Sequence, residues 1–276
     1  MAKYSHDTIV PFKDSQLGKK QQVADMFDGI ALRYDFLNRF LSGGIDIYWR
    51  KRAIRELTRA GAIKVVGSPE ALGRLTAGVG VTPASIPPRS VLDVATGTAD
   101  MAILMTRYLP QARITGIDIS EGMLELGRQK VLRQQLAGRV ELQIGDSEAI
   151  RHPDNSFDAI TVAFGVRNFE NLEKGLQEML RVLKPGGQLV VLEFSKPRQN
   201  LFCRLYNLYM RRIAPGIVKM VSRHQDAYRY LNESVRAFPE GDAFVRILEN
   251  CGYTHTRSKK LSLGICTIYC GAKILL

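Results

Sequence analysis

Three carboxylates stand at matching places along this chain. Asp93 lies in VLDVATGTAD, Asp118 in ITGIDIS and Asp146 in QIGDSEAI. Each sits at the end of a short run rich in Val, Ile and Leu, the composition of a buried strand. Asp118 follows Gly97 by 21 residues, the interval at which an acidic side chain can accept hydrogen bonds from both hydroxyls of a ribose held over the preceding turn. Gly97 lets the backbone turn tightly and approach a ligand without a Cβ in the way. Thr98 and Asp100 fall around a helix start, where unbonded N–H groups and hydroxyls can hold a carboxylate. Asp146 and Ser147 are placed to read the amine and ring nitrogens of adenine, and Ile119 adjoins Asp118 in the same set. Singly, each has a plainer explanation: a structural turn at Gly97, a helix cap at Asp118 (although Ser120 is better placed for that), a turn at Asp146. Their shared register at successive strand ends favours a nucleoside site.

Two nucleoside cofactors use such a site. A dinucleotide wants G-x-G-x-x-G to hold its pyrophosphate. The turn here reads A-T-G-T-A-D, with Ala95 and Ala99 where further glycines would help and the acidic Asp100 beside them. A cofactor with an amino group and a sulfonium suits this turn better, which selects S-adenosylmethionine.

The elements that must position these residues are legible from Ser90 onward. Strand-like runs cover 91–95, 114–117, 140–144, 159–164 and 188–194, with helical stretches near 99–108, 121–136 and 171–183. This alternation predicts an α/β fold with a mostly parallel, seven-stranded Rossmann-like sheet and helices on both faces. A helical excursion over 197–238, a helix near 241–250 and two edge strands, 255–260 and 265–272, complete it. Upstream, residues 1–61 read as a helical cap: Val23, Met26, Phe27, Ile30 and Tyr34 recur at helical spacing, and Gly43–Gly44 breaks the run. Residues 62–88 are rich in Gly and Pro and read as a loop or insertion, not a domain. The whole is expected to be one domain, with 89–276 as its α/β unit.

Composition excludes several classes. The 276 residues are 45% hydrophobic, enough for a full core. No apolar run approaches the roughly 20 residues of a membrane span, and the N-terminus has no secretory apolar stretch. Four cysteines form neither a disulfide framework nor a metal-ligand pattern, so no metal and a cytoplasmic setting are expected. The net charge is +12, half of it between Arg198 and Arg236, where eight Lys/Arg face two Asp/Glu. Such a surface attracts polyanions, anionic lipid among them.

VLDVATGTAD, GIDIS, GDSEAIRHPDNSFDAI, FGVRN and RVLKPGGQLVVLEFS together resemble the bacterial ubiquinone/menaquinone biosynthesis C-methyltransferases, and YDFLNRFLSGGIDIYW is similar to that family's N-terminal signature. The resemblance covers most of the chain from about Val23, apart from 62–88. It departs at Asp46, where the family has His four residues after Ser42, and at Ala99, where the family has Gly. Ala99 is expected in the first turn of a helix. The resemblance implies methylation of a ring carbon of a polyprenylated quinol, with 2-demethylmenaquinol favoured over the benzoquinol precursor of ubiquinone. It implies that Thr98, Asp118, Asp146 and Ser147 contact the cofactor and that Tyr34 folds over it; Asp93, Gly97 and Ile119 join this expected set from their places at the strand ends.

A quinol carbon is a weak nucleophile until a ring hydroxyl loses its proton, so a cation or base should sit near the methyl. Arg167 of FGVRN is the candidate to stabilise the phenolate or position a water, and Asn168 to orient the ring oxygen. The alternatives are a structural ion pair for Arg167 and a helix cap for Asn168. Phe202, Tyr206 and Tyr209 recur at helical spacing and suggest a greasy lid over the prenyl tail, or simply a helix packed on the core. The expected partners are the quinol, an anionic membrane surface approached peripherally and reversibly, and a second copy in a homodimer, with no nucleic acid. Rivals are a sterol or small-phenol methyltransferase, an RNA methyltransferase suggested by the charge, and a non-catalytic subunit. FGVRN opposes the first and third, and no RNA-binding motif supports the second.

Overall fold

The computed structural model describes residues 4–59, 87–196 and 225–275. Two helices come first, α1 (Lys19–Ser42) and α2 (Ile45–Arg59), broken at Gly43–Gly44 where both residues have positive φ. The sheet then builds as β1 (Ser90–Val94), α3 (Asp100–Tyr108), β2 (Arg113–Asp118), α4 (Glu121–Arg133), β3 (Val140–Ile144), β4 (Phe157–Ala163), α5 (Leu172–Val182) and β5 (Leu183–Phe194). After α6 (Gln225–Ala237) and α7 (Asp242–Asn250), the hairpin β6 (Thr254–Leu261) and β7 (Cys266–Ala272) closes the edge.

The strand order is β3-β2-β1-β4-β5-β7-β6. The first five strands are parallel, and β7 lies antiparallel between β5 and β6. The order reverses at β1, so the carboxyl ends of β1 and β4 flank the switch point where such sheets bind ligands. This is the class I S-adenosylmethionine-dependent methyltransferase architecture expected from the sequence. Two details differ. β1 stops at Val94 because Ala95 turns to φ 54°. β5 begins at Leu183 and not after LKPGG, because Leu183 already pairs with Phe157 across a register shift.

Alternating side chains send β1, β4 and β5 into two cores. Val91, Ala159, Val190 and Leu192 pack with Trp49 and Ile54 of α2 and with α3 and α4. Leu92, Ile160, Val162, Leu189 and Val191 pack on the other face with α5 and α7. Among the described residues no helix is long and apolar enough to cross a membrane. Nearly all of 62–88, and residues 197–224 of the expected lid with Phe202, Tyr206 and Tyr209, lie outside the described residues.

Candidate active site

The turn after β1 is held by its own acid. Gly97, at φ 56°, donates its N–H to Asp118 Oδ2 at 2.8 Å, and Ser120 N donates to Asp118 Oδ1 at 3.0 Å. Burial pushes the Asp118 carboxyl up, opposed by the backbone donors of Ser120, Gly97 and Ile119. A carboxylate has about four acceptor sites, so these three donors leave Asp118 capacity for a ligand hydroxyl. Ser120 caps α4, accepting from Met123 N. At the end of β3, Asp146 Oδ1 accepts from Glu148 N at 2.9 Å, while Oδ2 accepts from Lys20 Nζ at 2.6 Å.

Asp118, Asp146 and Ser147 share one open cavity, together with Gly97, Ile119, Tyr34, Phe164 and Asn168. Helix α1 forms its outer wall. Lys20, Val23, Phe27 and Tyr34 recur on one helical face and line the cavity. Tyr34 packs edge-on against Phe27 at 5.7 Å and reaches over Gly97, where an added Cβ would lie 4.0 Å from it. Polar bonds tie this helix to the turns beneath. Asp28 accepts from Ser120 Oγ (2.5 Å) and Gly122 N (2.9 Å). Asp35 accepts from Thr98 Oγ1 at 2.6 Å and pairs with Lys130 at 2.5 Å.

The opposite wall is the FGVRN turn after β4. Phe164 lines the cavity in a left-handed conformation, φ 61°. A bulky residue there is strained and persists where its surroundings over-determine it. Here Arg167 Nη1 donates both to the Phe164 carbonyl and to Glu193 Oε1, the latter at 2.7 Å. The guanidinium also lies 5.6 Å over the Phe194 ring. Burial pushes the Glu193 carboxyl up, and Arg167 opposes this. Gly165 is required by close approach, since a Cβ on it would meet Ala95 Cβ at 2.5 Å. Asn168 lines the cavity, and its Oδ1 accepts from Tyr230 Oη at 3.1 Å.

Of the residues singled out in the sequence, Tyr34, Gly97, Asp118, Ile119, Asp146, Ser147 and Asn168 come together on the cavity wall. Arg167, Thr98 and Asp93 do not. Arg167 is buried in its pair with Glu193, the structural ion pair weighed above. Thr98 donates to Asp35 and accepts from Lys130 at 2.9 Å. Asp93 accepts from Thr96 Oγ1 and Thr161 Oγ1, joining β1 to β4, and burial pushes its carboxyl up to about 6. Asn168 does not cap α5; Asn171 does. Ala99 precedes α3 at φ 64°, left-handed and not helical, so the family's Gly at this position has a conformational reason. Asp46 is buried against Ser42 Oγ at 2.9 Å, behind the turn between α1 and α2. Sequence reading placed Phe27 on the helix without a role in the site, and it passed over Lys20, Asp28, Asp35, Glu193 and Tyr230. Lys20 and Phe27 share the helical spacing of Val23 and Tyr34, a signal that could have found them; Glu193 and Tyr230 carry no local signal.

The donor set fits S-adenosylmethionine. A carboxylate for a ribose, a carboxylate and hydroxyl for an adenine, and an uncrowded glycine turn line one cavity. It contains no nest of three glycines for a pyrophosphate. The model of the ubiE/COQ5 methyltransferase family matches residues 15–273. The chain belongs to this family. It is 38% identical to the demethylmenaquinone methyltransferase of Bacteroides fragilis, over 98% of this chain and 99% of that one. It is 43% identical to the ubiquinone/menaquinone biosynthesis C-methyltransferase UbiE of Geobacter sulfurreducens, over 92% and 90%. Among solved structures, a SAM-dependent methyltransferase from Thermotoga maritima aligns over 91% of this chain and 99% of that one, with TM-score 0.53 and 17% identity, a likeness of fold. As a member of the ubiE/COQ5 methyltransferase family the chain is a methyltransferase that uses S-adenosylmethionine.

Proposed function

We propose that this methyltransferase transfers a methyl group to a ring carbon of a polyprenylated quinol, 2-demethylmenaquinol, giving menaquinol. The observation that carries it is the composition of one cavity. Two carboxylates suited to a nucleoside, Asp118 and Asp146, line it together with aromatic Phe164 and the amide of Asn168. Curated relatives named for demethylmenaquinone support the acceptor class.

Bound S-adenosylmethionine supplies an electrophilic methyl group. The chain's own residues do the rest by alignment, which can supply ~7–11 kcal/mol in a displacement of this kind. Asp118 holds the ribose, Asp146 and Ser147 hold the adenine, and Tyr34 with Phe27 closes the outer side against water. Phe164 and Phe169 present apolar surface to the acceptor ring. Asn168, oriented by Tyr230, hydrogen-bonds a ring oxygen. Arg167 is a positioning residue: with Glu193 it keeps Phe164 and Asn168 in the geometry the ring meets.

The net charge of +12 supports reversible, peripheral contact with an anionic membrane, where a prenylated acceptor resides. Incubating purified protein with methyl-labelled cofactor and each reduced quinone precursor tests the reading. Label is expected in the naphthoquinol lipid. Label in the benzoquinol would move the assignment to ubiquinone formation, and label in neither would end the quinol reading.

A further inference from the structure

We infer that the rim formed by the α1–α2 elbow and the β6–β7 turn is the surface by which this protein docks on an anionic lipid bilayer, with the cavity mouth toward the lipid. The inference rests on the lipid-quinol reading for its purpose and on the structure for its location.

The location follows from contacts. Asp28 and Asp35 fasten α1 over the turns after β2 and β1. α2 then runs over the ends of β4 and β5, where the Trp49 ring meets Phe164 at 6.2 Å and Phe194 at 6.1 Å. Trp49 Nε1 donates to Ser262 Oγ at 2.8 Å. Ser262 belongs to the β6–β7 turn, and β7 starts at Cys266 opposite Phe194, the last residue of β5. Elbow and turn therefore lie side by side at the carboxyl ends of the sheet, the end at which the cavity opens.

This rim exposes apolar side chains. Ile45, which opens α2 at the elbow, is 37% exposed and Tyr48 is 49% exposed, and Leu32, about three turns of α1 before the elbow, is 89% exposed. Leu263, at the tip of the β6–β7 turn, is 58% exposed with φ 57°. A leucine held outward in a left-handed turn has no folding reason to be apolar, because Asn or Gly would be less strained.

Charge complementarity selects the occupant. Exposed Arg33 and Arg55 stand on the same two helices, and exposed Lys260 stands just before the turn. Asp46 is buried on Ser42, while exposed Asp28 and part-exposed Asp35 are partnered within the protein, Asp28 by Ser120 and Asp35 by Thr98 and Lys130. Exposed Asp25 lies two turns of α1 before Leu32. Apolar residues interleaved with outward cations match a bilayer interface carrying negative head groups, where shallow apolar insertion and basic attraction act together. A hydrophobic protein partner would not need the cations.

The test is co-sedimentation of the full chain with vesicles of phosphatidylcholine alone and with about 30% phosphatidylglycerol, at low and high salt. The Leu32→Gln/Tyr48→Gln/Leu263→Asn variant and the Arg33→Gln/Arg55→Gln/Lys260→Gln variant are compared with the parent. Calorimetric binding of S-adenosylhomocysteine, expected unchanged, shows that both variants fold. Each variant is expected to lower partitioning onto the anionic vesicles at least ten-fold, with the second also removing the salt dependence. Methylation of a prenylated quinol in vesicles should fall with it, while that of a short-tailed quinol in solution should not. Parent-like partitioning by both variants overturns the proposal. So does a change in oligomeric state, by light scattering, in place of a change in partitioning, since the rim would then be an interface between copies. If the parent methylates no quinol yet the variants lose vesicle binding, the acceptor assignment falls and the docking surface stands.

Discussion

Arg167 and Glu193 form a 2.7 Å ion pair within the protein interior, their side chains only 5% and 0% exposed. The pair joins the end of β5 to the turn after β4, and the same guanidinium nitrogen also holds the carbonyl of left-handed Phe164. Breaking such a pair leaves an uncompensated buried charge, whereas replacing both partners by apolar groups is often neutral. Arg167→Met alone should therefore cost about 3–5 kcal/mol of unfolding free energy, while Arg167→Met/Glu193→Leu should recover most of it. Urea unfolding measures both. Turnover should stay low in the double variant, because nothing then holds the Phe164 carbonyl; full activity there would remove Arg167 from the catalytic geometry altogether.

Tyr230 is buried and donates to Asn168 Oδ1, which turns the amide nitrogen of Asn168 the other way. Tyr230→Phe removes a hydrogen bond of about 0.5–1.5 kcal/mol. The expected result is a fall in kcat of roughly three- to ten-fold with unchanged affinity for S-adenosylhomocysteine. An equal loss in both would mean that Tyr230 serves the whole pocket and not the acceptor end.

Asp118 organises the β1 turn and faces the cavity at once. Hydrogen bonds to a charged group contribute about 1.5–3 kcal/mol, so Asp118→Ala should weaken S-adenosylhomocysteine binding by at least about ten-fold. Asp118→Asn, which retains an acceptor, should lose less. Calorimetric titration of the two variants decides this order.

Lys20 links α1 to Asp146 at 2.6 Å and to Glu148 at 3.4 Å, with about a third of its side chain exposed. An ion pair so placed contributes roughly 0.5–1 kcal/mol. Lys20→Met should speed cofactor release about two- to five-fold, read by stopped-flow displacement, with little change in melting temperature.

His6 is buried between the Tyr4 ring, stacked at 5.9 Å, and Phe238 at 5.5 Å, and neither ring nitrogen has a hydrogen-bond partner. Burial, then the nearby Lys19 ammonium, pushes its imidazole down to about 4, against an opposing pull from Asp7. Between pH 6.5 and 4 the unfolded chain binds a proton that the folded chain refuses. Stability from this group is thus complete above about pH 6.5 and declines as pH falls, at up to about 1.4 kcal/mol per pH unit. His6→Phe should flatten that acid limb in chemical denaturation at pH 4.5, 5.5 and 7. An unchanged slope would show that carboxylates alone set it.

Much of the fold was readable because its signals are local. Val140–Ile144 stands where the strand-like pattern of VELQI placed it, and α1 breaks at Gly43–Gly44. Gly97 and Asp118 declared themselves by spacing, since a parallel βαβ unit fixes how many residues separate successive strand ends. Ala99 misled for an equally local reason: alanine favours helix, and only the constraint of the turn around Gly97 forces its φ to 64°.

The sequence by itself determined the order of strands and helices, the acids near the strand ends and so the kind of cofactor. It could not determine which way a side chain beside those ends would face. Arg167 lies one residue from Asn168, yet Asn168 lines the cavity while Arg167 turns away to Glu193, 26 residues along the chain. That choice belongs to tertiary structure, because a buried guanidinium follows the nearest carboxylate in space, and nearness in space is set by how β4 and β5 pair.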